Sequence, residues 1–184
     1  MSDTTLLPLP DKMELVHDRD AMIIRHTWFS IKAILLIPFA LFWNGFMVVW
    51  MYKALSDGIW VMAAFGSIHA LVGIGLIYFC IACFLNKTDV SIDPNYLTVR
   101  HYPVPWMGNQ KIRVHEIKQL YTKEHITRNK NSTSVSYRVY AILNNLKEKK
   151  LISNLDTLSQ GKYIEREIEA VLGLEDIQVA GEVR

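Results

Sequence analysis

The most informative absence in this 184-residue chain is that of charge over one long stretch. Between residues 33 and 86 the charged side chains are Lys53 and Asp57 alone. The rest of the chain carries about as much charge as an ordinary soluble domain, in which roughly 25% of residues are charged. The sequence therefore joins a membrane piece to a water-soluble piece, which excludes a fully soluble enzyme and a disordered chain.

Cysteine is equally scarce, since the chain contains two. Both lie in the apolar stretch, as Cys80 and Cys83, so a secreted scaffold held by disulfides is excluded. A zinc site needs further ligands, and a redox pair needs solvent access and a helix N-terminus; neither condition is met here. We expect buried structural thiols, with S-acylation near the membrane surface as the alternative.

Catalytic motifs are also missing. The sequence has no H-E-x-x-H motif, no G-x-S-x-G motif and no glycine-rich phosphate loop. His115 and Glu116 are adjacent, and on a strand their side chains would point to opposite faces. The prediction is that the protein is not an enzyme and uses no metal or other cofactor.

Two uncharged runs, of 20 and 29 residues, fill the apolar stretch. An apolar helix needs about 20 residues to cross a hydrocarbon core of about 30 Å, so both runs are long enough. We expect spans at about residues 31–52 and 59–85. A tight turn would join them into an antiparallel hairpin that covers residues 29–86.

The basic residues beside these spans predict the orientation. The first span is preceded by Arg19, Arg25 and Lys32, and the second is followed by Lys87. The turn between the spans has Lys53, offset by Asp57. Cytoplasmic loops carry an excess of Lys and Arg. Both termini are therefore expected on the cytoplasmic side of the plasma membrane.

Three polar side chains lie within the spans: Asn44 in the first, and Ser67 and His69 in the second. If the hairpin turns near residue 55, Asn44 lies opposite Gly66 and Ser67, and hydrogen bonds across the contact are expected. Three roles stay open for His69. It can be a neutral imidazole bonded within the hairpin, a group for ligand or proton chemistry, or a contact to a partner's helix.

The segment 87–173 alternates in short runs separated by turns, which predicts about six antiparallel strands, the longest at 135–143. A helix follows the strands. Thr157 and Gln160 have the spacing of a capping box, and Gly173 suits the C-terminal cap. The apolar residues of the helix recur with helical spacing, and three acidic residues are expected on or beside the opposite face: Glu165, Glu167 and Glu169.

Residues 1–28 are expected to form a β-hairpin with strands at 12–17 and 21–28. A lone two-stranded hairpin is marginally stable in water. We therefore expect it to pair with the sheet of segment 87–173, so that the membrane hairpin is an insertion within one β domain. Residues 174–184 are expected to form a loosely held tail.

Three segments and the membrane hairpin carry a family resemblance: residues 93–100, 111–117 and 163–169. This layout resembles the bacterial membrane-anchored pleckstrin-homology-like (PH-like) proteins. The resemblance implies an α+β fold: a PH-like antiparallel sheet or partial barrel with one C-terminal amphipathic helix. It also implies a binding or scaffolding module in the bacterial inner membrane. The basic loop with which eukaryotic relatives bind phosphoinositides has no match here, so inositide binding is not implied.

A proline-framed loop is the best candidate contact surface: Pro103, Pro105, Trp106 and Met107. A Trp-Met pair in such a loop can insert at the membrane interface or fill a partner's pocket. The alternative is that Trp106 folds back over the open end of the sheet.

Charge is unevenly distributed after the membrane hairpin. Residues 87–150 contain 12 Lys or Arg and 5 Asp or Glu, a net charge of +7, whereas residues 151–184 have a net charge of −4. A basic sheet near an anionic leaflet gains about 1 kcal/mol of binding free energy per Lys or Arg. The alternative is that these residues are ordinary solvated charges on the edges of strands. Binding to nucleic acid is disfavoured, because no recognition helix or aromatic-basic platform accompanies the charge.

Three functions follow, in order of preference. The first is a non-enzymatic adaptor, scaffold or accessory subunit that binds a protein partner, within a larger membrane complex. The second is a module on a membrane anchor that senses anionic lipids. The third is a membrane redox or transport component that uses His69.

Overall fold

The structure, a computed structural model, divides into two compact units, the α+β unit and the hairpin unit. The α+β unit comprises residues 1–27, 88–101 and 106–184, and the hairpin unit comprises residues 28–87 and 102–105. The structure describes residues 8–18, 21–129, 132–175, 177–179 and 181–183.

The hairpin unit consists of two apolar helices, α1 (Ile31–Ser56) and α2 (Trp60–Leu85), of 26 residues each. At a rise of about 1.5 Å per residue each helix is about 39 Å long, which exceeds a hydrocarbon core of about 30 Å. The two expected spans are therefore present as helices that are long and apolar enough to cross a membrane. The first helix ends four residues later than expected.

Glycines of α2 let the two helices approach closely. A Cβ atom added at Gly66 would come within 2.8 Å of the Met51 sulfur, and one at Gly73 within 2.7 Å of the Asn44 Oδ1. Small residues allow such close packing in the absence of a hydrophobic driving force between helices in lipid. Two glycines, one near the middle of α2 and one two turns earlier, thus lie on the face that α1 covers.

The expected alignment of α1 with α2 is wrong: the residue of α2 that lies beside Asn44 is about two turns further along the helix than expected. Asn44 lies beside Gly73, not beside Gly66 and Ser67. The reason is that α1 continues through Ser56, so the chain turns at residues 57–59 and not near residue 55. Moving the turn by about three residues shifts every pairing across the hairpin by twice that number.

The strands of the α+β unit form two sheets. The first has the order β1-β2-β3-β4-β5: Met13–Asp18, Ala21–Thr27, Lys87–Ile92, Tyr96–Tyr102 and Gln110–Arg113. The second has the order β6-β7-β8: Ile117–Asn129, Ser132–Leu143 and Glu148–Leu155. The α+β class is confirmed, and the described strands do not close into a barrel. The longest strand is β6, not the expected segment 135–143.

A short 3-10 helix, Val114–Glu116, separates β5 from β6. It contains His115 and Glu116, so the argument from strand geometry does not apply to this pair. Turn residues at two predicted tips lie outside the described residues: Arg19 and Asp20 between β1 and β2, and Lys130 and Asn131 between β6 and β7.

Strands β2 and β3 are neighbours in the five-stranded sheet although the whole membrane hairpin separates them in sequence. The Arg25 guanidinium on β2 donates two hydrogen bonds to the Asp89 carboxylate on β3, at 2.9 and 3.1 Å. This bidentate arrangement is the preferred geometry for an arginine and a carboxylate. The strands before and after the membrane hairpin therefore belong to one sheet.

The last element is helix α3, Leu158–Leu172. Its capping box is confirmed, because the Thr157 side chain accepts from the Gln160 N–H and the Gln160 side chain accepts from the Thr157 N–H. Gly173 ends the helix in the left-handed conformation, with φ of 63°, as expected. Ile164 and Ile168 are fully buried and join the hydrophobic core that the strands supply.

The acidic side of α3 differs from the expectation, since Glu165 and Glu169 are buried. The Glu165 carboxylate accepts from the Thr122 hydroxyl at 2.6 Å and from the Lys162 Nζ at 2.9 Å, which compensates its burial. Gly161 permits this approach, because a Cβ there would lie 2.5 Å from the Thr122 Cγ2. Helix α3 therefore does not divide into one buried apolar face and one exposed acidic face.

Candidate functional site

The first half of the contact loop, residues 103–105, belongs to the hairpin unit. Asn86, the residue after α2, holds it: the Asn86 Nδ2 donates to the Val104 carbonyl at 3.0 Å, and the Asn86 Oδ1 accepts from the Val104 N–H at 2.8 Å. The Asn86 side chain thus pairs with both backbone groups of one loop residue. It is buried, so water competes little for these bonds.

A second bond ties the loop to the side of α2. The Tyr78 hydroxyl donates to the Pro105 carbonyl. Tyr78 lies seven residues before Leu85, which is about 10 Å along the helix axis. The loop segment therefore runs beside the last two turns of α2.

The start of α1 is joined to the end of α2 at the same end of the hairpin. The Trp28 N–H donates to the Asn86 carbonyl at 3.0 Å. The rings of Phe29 and Phe84 pack edge to face, with centroids 5.5 Å apart. Asn86 therefore binds both the loop and the chain entering α1.

His101 of β4 holds the chain that directly follows the contact loop, at Gly108 and Asn109, within the α+β unit. The His101 Nδ1 lies 2.8 Å from the Thr88 hydroxyl, and the His101 N–H donates to the Asn109 Oδ1 at 2.7 Å. Gly108, with φ of 111°, lies against the ring, since a Cβ there would come within 3.0 Å of the Nε2. Burial lowers the pKa of His101, which favours the neutral ring at neutral pH.

Between these two attachments the loop exposes Met107. Its side chain is 89% exposed, more than any other large hydrophobic side chain in the described part of the chain. Trp106 is partly buried, so Met107 is the exposed member of the Trp-Met pair. Met107 follows Pro105 by two residues and so lies within about 7 Å of it.

The three polar residues expected within the spans, Asn44, Ser67 and His69, have different partners. The Asn44 Nδ2 donates across the hairpin to the Gly73 carbonyl at 3.0 Å and within α1 to the Ala40 carbonyl at 2.8 Å. Ser67 donates to the Ala63 carbonyl of its own helix. The structure places Asn44 at the contact between the helices and gives Ser67 a partner within α2.

His69 also has a partner on its own helix, since its Nδ1 lies 3.1 Å from the Phe65 carbonyl. The ring packs against those of Phe65 and Trp43, with centroids 4.5 and 6.1 Å away. The Trp43 Nε1 in turn donates to the His69 carbonyl at 3.3 Å. The sequence did not predict this second bond across the hairpin, because only the asparagine, serine and histidine of the spans were considered as hydrogen-bonding side chains.

Sequence reasoning also missed Asn86 and Tyr78, which position the contact loop. The available signal was modest: an amide residue directly after an apolar run, and a tyrosine two turns inside it. Both side chains carry polar groups that find hydrogen-bond partners where water is scarce. The partners lie 18 and 27 residues away, so sequence spacing did not connect them.

The two cysteines are free thiols, Cys80 buried and Cys83 partly buried. Cys80 lines an apolar groove of about 370 Å³ on the hairpin, together with residues such as Ile37, Leu41 and Ile77. In the residues that the structure describes, no group of three or more histidine, cysteine or acidic side chains is placed to hold a metal ion.

Comparison with known proteins does not indicate a function, so the fold and the contact loop are the observations from which a function can be inferred. No protein-family model matches the chain, and no curated protein is similar to it in sequence. What the observations establish is an α+β protein with two helices suited to crossing a membrane.

Proposed function

We propose that this protein is a non-enzymatic adaptor, held in a membrane by α1 and α2, whose contact loop at residues 103–107 binds a partner protein. The observation that carries the proposal is the exposure of Met107 on a loop fastened on both sides. A loop whose backbone is already held loses less entropy on binding than a loose turn does. Methionine also adapts to irregular apolar pockets.

The position of the loop suggests where that partner lies. Pro105 is bonded to Tyr78, two turns inside α2, so the loop is expected near the boundary between headgroups and hydrocarbon. A partner that reaches Met107 there is itself a membrane protein or lies on the membrane surface. The adaptor is therefore expected to work within a larger membrane complex.

The proposal includes a PH-like identity for the α+β unit and a bacterial inner-membrane location. The order of six strands, β3 to β8, followed by α3 supports the PH-like layout. Cytoplasmic termini are supported by the basic residues flanking the hairpin, Arg25 and Lys87. At the turn, Lys53 is offset by Asp57, whose carboxylate lies 3.5 Å from its Nζ.

Affinity purification of the full chain in mild detergent tests the adaptor function. We expect a co-purifying protein that is lost with Met107→Ser. Leu146→Ser is the matched control, because Leu146 is also a highly exposed apolar residue of a turn in the α+β unit. A partner kept by Met107→Ser, or lost equally with both variants, would contradict a role for the contact loop.

Sensing of anionic lipid is a second candidate function, favoured by the net charge of +7 over residues 87–150 and by the bond between the loop and α2. In the chain with Cys80→Ala and Cys83→Ala, a polarity-sensitive dye on Met107→Cys reports the surroundings of the loop. A blue shift on adding anionic lipid to zwitterionic vesicles, reversed by high salt, supports lipid sensing. The same spectrum in both vesicles argues against it.

A redox or transport role for His69 stays a prediction. The ring has a hydrogen-bond partner and two aromatic neighbours within the hairpin unit, which is the surrounding of a structural histidine. No geometric observation favours ligand or proton chemistry over this arrangement.

A further inference from the structure

His69 of α2 offers a hydrogen-bond acceptor at the surface of the hairpin. Its Nδ1 lies 3.1 Å from the Phe65 carbonyl oxygen, which can only accept a hydrogen bond, so the Nδ1 carries a proton. In a neutral imidazole the Nε2 then holds a free lone pair. No described residue donates to this Nε2, and it is not among the buried unpaired nitrogens of the described chain, such as the Trp50 Nε1. The acceptor is therefore open to the surroundings of the hairpin.

This acceptor lies near the middle of α2. His69 is between three and four residues from the midpoint of Trp60–Leu85, about 5 Å along the helix axis, on the side of the hairpin turn. The hydrocarbon core extends about 15 Å to each side of the bilayer centre. A membrane-spanning α2 thus places His69 where neither water nor lipid headgroups reach, and a polar atom without a partner is costly there.

The surface around His69 is apolar, aromatic and exposed. The Phe65 ring packs on the imidazole, with centroids 4.5 Å apart, and Phe65 is 60% exposed. Trp43 and Phe39 of α1 continue the same side of the hairpin, with centroids 6.1 Å between Trp43 and His69 and 5.8 Å between Phe39 and Trp43. Phe39 is 51% exposed. Packing surface together with a polar group that bonds across the contact is what joins helices within a membrane.

A second copy of this chain does not supply the missing donor. In a symmetric pair of copies the same side of the hairpin faces itself, so the donor has to lie on the side of His69. Among the described residues near this level, the donors on that side are Trp43 and, two turns later, Trp50. The Trp43 Nε1 already donates to the His69 carbonyl, and the Trp50 Nε1 is buried.

The remaining donors near this level are engaged or lie on other sides of the hairpin. Asn44 uses both hydrogens of its amide for two backbone carbonyls. At 3.6 residues per turn, Ser67 lies about 200° from His69 around α2, and Tyr52 lies about 180° from Trp43 around α1. The donor therefore has to come from a different protein.

We propose that this side of the hairpin binds a transmembrane helix of a different protein, and that a hydroxyl or amide side chain of that helix donates a hydrogen bond to the His69 Nε2. The proposal deepens the adaptor function and rests on it for the existence of a partner and for the membrane location of the hairpin. The exposed aromatic rings supply the packing surface, and the acceptor fixes the level at which the partner helix docks. A helix without a donor at this level leaves the lone pair unsatisfied and binds more weakly.

Förster transfer in lipid vesicles tests this contact with a defined helix. The probe is a dye-labelled model peptide of about 24 leucine and alanine residues with one central serine, long enough to span the core. The matched probe has alanine in place of the serine. The full chain, with Cys80→Ala and Cys83→Ala, carries the second dye on Leu146→Cys. We expect the serine peptide to bind about three- to twentyfold more tightly than the alanine peptide, the range found for single hydrogen bonds between membrane helices.

His69→Phe keeps an aromatic ring but removes the acceptor, so it should abolish this preference. Ser67→Ala is the matched control, because it removes a polar group from another side of α2 and should keep the preference. Equal binding of the two peptides to the wild-type chain would overturn the proposal. A preference that persists in His69→Phe would contradict it as well.

Nitrogen NMR of the isotope-labelled wild-type chain gives a second test that needs no variant. The imidazole signals of His69 are identified among the six histidines by their proximity to lipid acyl protons. We expect an unprotonated Nε2 whose signal shifts with the serine peptide and not with the alanine peptide, because accepting a hydrogen bond changes the shielding of an imidazole nitrogen. A protonated Nε2, or the same signal with both peptides, would rule the proposal out.

These outcomes are separable from those of the contact loop. Met107→Ser leaves the hairpin intact and should not change the preference for the serine peptide. If that preference is absent while Met107→Ser still loses a co-purifying protein, the helix contact is wrong and the adaptor function of the loop stands. The reverse result would assign partner binding to the hairpin alone.

Discussion

The helices of the hairpin unit and the elements of the α+β unit differ in where many of their polar side chains find partners. In the helices, several polar side chains bond to the carbonyl four residues earlier on the same helix: Asn44 to Ala40, Ser67 to Ala63 and His69 to Phe65. In the α+β unit, side-chain bonds join elements far apart in sequence: Lys12 to Asp156, Arg25 to Asp89 and Thr122 to Glu165.

The difference follows from how each environment treats the backbone. In lipid the helix satisfies all of its backbone groups internally, so a polar side chain finds its nearest acceptor on its own helix. In the α+β unit, charged groups that become buried need partners from other elements. Tertiary hydrogen bonds therefore specify the arrangement of the α+β unit, whereas close packing of small residues specifies the hairpin.

The largest expected effect compares the same substitution in both units. Ile164→Ala, at a fully buried position of α3, should lower the free energy of unfolding by about 2–5 kcal/mol through the cavity it leaves. Ile74→Ala, at a position of α2 that is 60% exposed, should change it by about 0.5 kcal/mol or less. Chemical unfolding in detergent micelles measures both. Equal losses would show that the hairpin buries its apolar surface as the α+β unit does.

A second effect concerns His26 of β2, whose Nε2 is buried without a hydrogen-bond partner among the described residues. Its pKa is lowered from 6.5 to about 4, chiefly because of burial; Asp156 opposes this shift, and Lys12 adds to it. Because the unfolded chain binds the proton more readily, stability should fall as pH decreases from about 6.5 to 4. The expected loss is about 3 kcal/mol.

His26→Leu removes the titrating group and should flatten this dependence. The measurement is the free energy of unfolding of wild type and variant between pH 4 and pH 7. If both proteins lose stability in parallel over this range, the protonation of His26 is not linked to folding.

The smallest expected effect separates the two kinds of bond within the hairpin. Asn44→Leu removes the bond to the Gly73 carbonyl and should destabilise the helix contact by about 0.6–1.7 kcal/mol. Ser67→Ala, the control, removes a bond within α2 and should have almost no effect. Unfolding by sodium dodecyl sulfate in mixed micelles measures the difference. A larger loss for Ser67→Ala would contradict the assigned roles.

Much of the fold was predictable because its signals are local. The two helices follow from length and the absence of charge, the strands after residue 87 from alternation, and the capping box of α3 from the spacing of Thr157 and Gln160. The alignment of α1 and α2 was predicted wrongly, since it depends on where α1 ends. The burial of Glu165 was missed because its partner Thr122 lies 43 residues earlier in the chain.

The candidate sites also had some features that local sequence signals predicted and others that depend on residues distant in sequence. The contact loop was identifiable from its proline-framed Trp-Met pair, but its attachments through Asn86 and Tyr78 were not. The burial of Glu182 against Lys162 had no sequence signal, because Glu182 resembles any other acidic residue of the chain.

The sequence alone thus determined the broad division of the protein: two charge-poor apolar helices, long enough to cross a membrane, joined to a charged α+β unit. These features depend on composition and on periods of two and 3.6 residues, which act over short distances. Only the tertiary structure decided which strand neighbours β2, which member of the Trp-Met pair is exposed and where Glu182 lies. Each of these depends on burial and on hydrogen bonds between residues distant in sequence, which no local pattern encodes.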